Sequence, residues 1–131
     1  MLTREQERAQ HAYKCVREVV EDKNASFDDY RTLINGLGAN IMRSGLAATV
    51  AFVQRYRNAA TVRLLWKHLA GAKIHYLEGV SSENLAEKIY QLELNQYMHV
   101  TREMLKQALW FRRATQAYKA QSDHKGEAQD A

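Results

Sequence analysis

No proline occurs anywhere in the 131 residues. A chain without proline carries no ring that breaks a helix, and it lacks the residue that presets the rigid turns of many β-proteins. Apolar residues recur at intervals of three and four, not two. In the first segment Ala9, Ala12, Tyr13, Val16, Val19 and Val20 form one such stripe. These features predict a single all-α domain, a bundle of about five to seven helices with no sheet. The length fits one domain, and a domain of this size buries roughly two-thirds of its unfolded surface. With 46% apolar residues, the chain has the material for that core.

The expected elements follow from capping signals. Thr3, with Gln6 three residues on, opens a helix that runs to about Asp22. Lys23 to Ser26 reads as a turn, and Ser26 with Asp29 caps a second helix through Leu33 and Ile34. Gly36 and Gly38 weaken the segment beyond Ile34, so the helix either continues to Arg43 or breaks at the glycines. Ser44-Gly45 is the next boundary. Leu46 to Tyr56 is apolar on almost every side, which marks it as the central helix. Phe52 is expected among the most buried residues, with Val50, Leu65 and Leu105 close behind.

Asn58 or Thr61 opens a helix to about Leu69, with Leu65 and Leu69 inward and Trp66 at its edge. Gly71 and Gly79 bracket a loose segment that contains His75. Ser81 or Ser82 caps a helix through Leu92. Thr101 caps the last helix, with Glu103 in the first turn and a Val100–Leu105 staple. His99, just before that cap, is expected to be exposed. The last helix is expected to reach about Gln121. The domain thus spans 1–121, and residues 122–131, without a large apolar side chain, are expected to form a disordered tail.

Catalytic constellations are missing from the sequence. His11 and Cys15 stand four apart, the spacing of a two-ligand metal edge, but no further ligands cluster near them. Cys15 lies in an apolar stripe and reads as a buried, inert thiol. Paired acids such as Asp28 and Asp29 sit at helix starts, where the dipole favours them. No Gly-rich phosphate loop follows a strand. The reading is a non-enzyme without cofactor, metal or small-molecule substrate. A single cysteine, no signal-type apolar segment at the N-terminus and no apolar run of roughly 20 residues predict a cytoplasmic protein without a membrane partner.

The charge is unevenly placed. From Tyr30 to Leu77 there is no Asp or Glu, against seven basic residues: Arg31, Arg43, Arg55, Arg57, Arg63, Lys67 and Lys73. Residues 78–93 reverse the sign, with four acids against Lys88. On the last helix Arg102, Lys106 and Arg113 fall within roughly 40° of one another, opposite Met104, Ala108, Phe111 and Tyr118. A helical scaffold with uncompensated positive charge suits a polyanion.

Two stretches carry a further signal. The first supplies Arg43, Gly45, Leu46, Thr49, Ala51 and Phe52. The second supplies Tyr97, Thr101, Arg102, Glu103, Leu105, Trp110 and the pair Arg112-Arg113. Together they resemble the small all-helical subunit of type III-B CRISPR effector complexes, the Cmr complex, over about residues 3–120. The resemblance implies a non-catalytic subunit whose copies stack head-to-tail into a short filament. That filament lies along the duplex of guide RNA and target RNA, beside the backbone and large subunits. The acid-free basic run and the ridge on the last helix predict that target RNA runs, in the assembled complex, along a surface formed mostly by Arg43, Arg55, Arg57, Arg102, Lys106 and Arg113. The acidic block 78–93 is expected to meet a neighbouring copy. A self-standing protein-interaction adaptor and the type III-A small subunit are the alternative readings.

Overall fold

Thr3 opens the first helix with both halves of a capping box. Its hydroxyl accepts from the Gln6 amide at 3.1 Å, and its own amide donates to the Gln6 side chain at 2.8 Å. A computed structural model of the chain describes residues 1–130, with side chains through Asp123. Six helices occur among the described residues: α1 (Arg4–Glu21), α2 (Phe27–Ser44), α3 (Leu46–Gln54), α4 (Ala59–Ala70), α5 (Leu85–Gln91) and α6 (Leu94–Asp130). No strand occurs among them. The fold is all-α, as the periodicity requires. Of the tail, 122–131, the backbone continues in α6 through Asp130, and Ala131 lies outside the described residues.

α2 runs straight through Gly36 and Gly38. Tyr30, Leu33 and Ile34 before the glycines and Leu37 and Ile41 beyond Gly36 all lie on one buried stripe. That burial outweighs a helix cost of about 1 kcal/mol per glycine. A Cβ built on Gly38 meets nothing within 4 Å. Gly38→Ala should therefore stabilise the fold by roughly 0.4–1 kcal/mol, mostly by restricting the unfolded chain. A thermal melt that moved downward would contradict this.

α6 is the helix around which the others pack. Phe27 on α2 meets Tyr118, with ring centroids 5.3 Å apart. At the other end of α2, the Ala47 amide donates to the Tyr97 hydroxyl at 2.8 Å. The two helices are thus antiparallel. On the opposite flank Arg8 of α1 pairs with Glu103, and His11 packs its ring 6.0 Å from Phe111, so α1 runs parallel to α6. α3 folds back along α2, and the order across this layer is α3, α2, α6, α1. α4 backs α1 and α2, contributing Leu65 at 0% exposure.

Several expectations change. Phe52 is 52% exposed, and α3 is not central. Its nine residues bury Leu46, Thr49, Val50 and Val53 against α2 and α5, and leave Phe52 half-exposed at the edge of the groove beside α2. Tyr13 and Val20 likewise leave the α1 stripe for solvent, whereas Trp66 is buried. Leu105 is only half-buried. Thr101 caps nothing, because α6 begins seven residues earlier; its hydroxyl donates back to the Tyr97 carbonyl at 2.7 Å. Val100 at 0% exposure and Met104 at 1% are consecutive inward positions of one unbroken helix. Glu103 therefore sits mid-helix. α5 starts at Leu85, after a turn in which the Ser81 amide donates to the Asn84 side chain. His99 is half-buried rather than exposed, its ring edge-on to Tyr76.

Inside the core, His68 is 2% exposed and lies 2.8 Å from the Tyr30 hydroxyl through Nδ1. We assign the ring proton to Nε2, which points toward the Glu18 carboxylate at 3.6 Å. Burial lowers the His68 pKa from 6.5 to about 4. The folded chain thus refuses a proton that the unfolded chain accepts. The stability from keeping His68 neutral is complete above pH 6.5 and falls as pH drops toward 4, by up to about 1.4 kcal/mol per pH unit. Urea titrations across this range should show the slope, and His68→Gln should reduce it. An unchanged slope in the variant would assign the acid sensitivity to carboxylates instead.

Candidate nucleic-acid interface

The α3–α2–α6 side of the layer presents one exposed face. At 100° per residue, Asp28, Thr32, Asn35, Ala39 and Arg43 lie on one strip of α2. The strip is flanked by two grooves. One, about 190 Å³, separates it from α3 and is lined by Gly36, Asn40, Phe52 and Val53 among others. The other, about 380 Å³, separates it from α6 and is lined by Ala39, Met42, Leu109 and Arg112 among others. The packing of three antiparallel neighbours thus brings basic residues from distant parts of the chain onto one side.

Arg102, Lys106 and Arg113 are all exposed on α6, next to the wall of the second groove. The acid between them, Glu103, is turned sideways into an ion pair with Arg8, the two side chains 14% and 11% exposed. Burial alone would raise the Glu103 carboxyl, but the Arg8 hydrogen bond and charge outweigh it and hold it below the usual range. Lys106 also lies 3.7 Å from Glu103, so its charge is partly offset. The Arg113 guanidinium sits 4.6 Å from the centre of the Trp110 ring, which orients it along the helix.

Arg43 stands in the last turn of α2 and donates to the Asn40 side chain at 2.6 Å. Arg55 is the exposed C-cap of α3. Arg57, with 83% of its side chain exposed, lies 3.6 Å from Asp29. The Tyr56 hydroxyl donates to Asp29 at 2.9 Å, and Asn58 does so at 3.2 Å. The Tyr56 bond foremost, then Asn58 and Arg57, holds the Asp29 carboxyl below its ordinary range.

The structure therefore brings Arg43 and the α6 ridge onto neighbouring helices, with Arg55 and Arg57 together at the far end of α3. Arg112, outside the six residues expected from the sequence, is also exposed on this face and lines the second groove. Sequence reasoning missed that Phe52, Met42 and Leu109 are exposed on this face, at 52%, 79% and 46%. Glu83 of the acidic block and Arg63 line one hollow, and Tyr90 of α5 donates to Gln54 of α3 at 3.2 Å.

No set of three or more metal-ligating side chains stands together among the described residues. His11 lies 2.7 Å from the His68 carbonyl through Nε2 and contacts the Cys15 sulfur at 3.5 Å. Burial pushes the Cys15 thiol up to about 12, so it stays protonated. The pair is packing. No helix among the described residues is long and apolar enough to cross a membrane.

Comparison with known proteins gives the family. A model of the CRISPR-associated protein family Cas_Cmr5 matches residues 4–118. The chain is 35% identical over 117 residues to the CRISPR system Cmr subunit Cmr5 of Thermus thermophilus, covering 89% of this chain and 96% of that protein. It also resembles the crystal structure of a CRISPR-associated Cmr5 family protein from Thermus thermophilus, with a TM-score of 0.74 at 34% identity. That likeness covers 88% of this chain and 97% of the other. A match across the whole bundle, shared by sequence and by fold, makes the chain a member of the Cas_Cmr5 family, a subunit of the Cmr CRISPR system.

Proposed function

We propose that this subunit is a non-catalytic cytoplasmic scaffold whose copies stack head-to-tail and hold the duplex of guide RNA and target RNA in the Cmr effector. The single observation that carries the reading is the exposed face of α6 and α2. It displays Arg43, Arg102, Lys106, Arg112 and Arg113, while Glu103 is paired away from it. Such a surface engages phosphates and supplies affinity without sequence choice. Base pairing reads the target, and protein reads the backbone. The other subunits of the effector and further copies of this chain are the partners.

The test is reconstitution of the effector with and without this chain. Native mass spectrometry should find copies of the chain in the assembled particle. Omitting them should weaken target-RNA association, with log affinity falling linearly against log salt in the complete particle. If the complete and depleted particles bind target RNA equally at every salt concentration, the chain serves protein partners alone.

A further inference from the structure

α3 ends in Phe52-Val53-Gln54, and the chain continues beyond it as Arg55-Tyr56-Arg57. Val53 is buried, and it fixes the helix so that Phe52 faces solvent. Phe52, Arg55, Tyr56 and Arg57 wall a hollow of about 460 Å³. Two aromatic and two arginine residues thus line one shallow, open depression, and no acidic residue is among them. The acid that reaches this region, Asp29, is engaged by Tyr56, Asn58 and Arg57. Tyr56 is tethered by its hydroxyl, and the Arg57 guanidinium lies 5.9 Å from its ring centre.

An aromatic side chain left half-exposed discards most of the burial that favours it in a core. On one side Phe52 borders the α2–α3 groove with Leu33, Leu37 and Val53, but on the other it faces Arg55 and Arg57, a cationic setting unlike the apolar centre of a protein–protein interface. Stacking rings flanked by arginines are the means by which proteins hold unpaired nucleobases, the rings taking the base and the guanidiniums the phosphates. We propose that this hollow binds one unpaired nucleobase of an RNA strand. The base stacks on Phe52, and Arg55 and Arg57 contact the flanking phosphates. The inference rests on the proposed RNA-binding role and adds a site for a base, where the α6 ridge meets only backbone.

The full-length chain can be titrated with three probes of equal length: a single-stranded oligouridylate, an abasic ribose-phosphate strand and a fully paired RNA duplex. The wild-type chain should prefer the oligouridylate over the abasic strand by roughly tenfold. Phe52→Ala should abolish that preference and leave duplex affinity unchanged, and Phe52→Tyr should restore the preference. Because Phe52 is surface-exposed, the alanine variant should melt close to the wild type, which separates a lost site from a lost fold. Oligouridylate carrying 5-iodouracil should photocrosslink at Phe52. If the wild-type chain binds duplex but does not distinguish oligouridylate from the abasic strand, the base site is wrong and the backbone reading stands. A chain that binds none of the three, in an effector whose RNA affinity does not depend on it, overturns both. If Phe52→Ala instead expels the chain from the effector while RNA binding by the free chain is untouched, the hollow is a protein contact and the proposal fails.

Discussion

Phe111→Ala should destabilise the fold by about 3–5 kcal/mol, the usual range for a buried aromatic that leaves a cavity. Phe111 has 0% exposure at the middle of α6. Its ring lies 6.0 Å from His11 on α1 and 6.5 Å from His68 on α4, so one side chain ties three helices. Truncation leaves a void that neither neighbour fills without breaking a hydrogen bond: His11 is held to the His68 carbonyl, and His68 to Tyr30. For a domain of this size the loss corresponds to a fall in melting temperature of about 10–20 °C. Leu109→Ala, two residues before it and 46% exposed, is the control and should shift the melt by no more than a few degrees. Equal shifts in the two variants would mean that α6 is rotated about its axis, with Phe111 no longer inward.

Reversing Arg102, Lys106 and Arg113 to Glu should weaken target-RNA association by the effector on the order of a hundredfold at low salt. Each reversal removes a phosphate contact and adds repulsion in its place. Losing three contacts should also lower the slope of log affinity against log salt by about 2–3. The loss should be similar for unrelated targets that match their guides, because these side chains reach backbone and not base edges. All three are exposed, so circular dichroism of the free subunit should be unchanged. If affinity and slope are unaltered, the ridge is a solvated face and the contacts lie elsewhere.

The fold class was legible because it depends on local spacing. Thr3, Ser26 and Asn58 each accept from the backbone amide three residues on, as their positions suggested. Tertiary choices were not legible. An apolar helix such as α3 reads as buried all round, yet only neighbouring helices decide which sides are covered, and α2 covers Phe52 on one side alone. Thr101 looked like a cap because threonine competes for backbone partners. In a helix already nucleated at Leu94, the same hydroxyl turns back to the carbonyl four residues earlier. Of the candidate interface, the exposed basic ridge of α6 could be read from angles alone. Its proximity to Arg43 depends on α2 and α6 running antiparallel, a long-range fact that no local spacing encodes.

One residue, Gly45, joins α2 to α3, with φ of 91°. A joint that short has no slack. Inserting a single residue inside α2 would rotate everything beyond it by about 100° and advance it by about 1.5 Å. Arg43 would leave its strip, and the buried residues Leu46, Val50 and Val53 would trade places with solvent-facing ones. Lys23 and Asn24, between α1 and α2, can absorb extra length without that consequence. Extra length is therefore tolerated in the turn between α1 and α2 but not from the start of α2 to the end of α3, which makes that stretch a fixed-length gauge within the bundle.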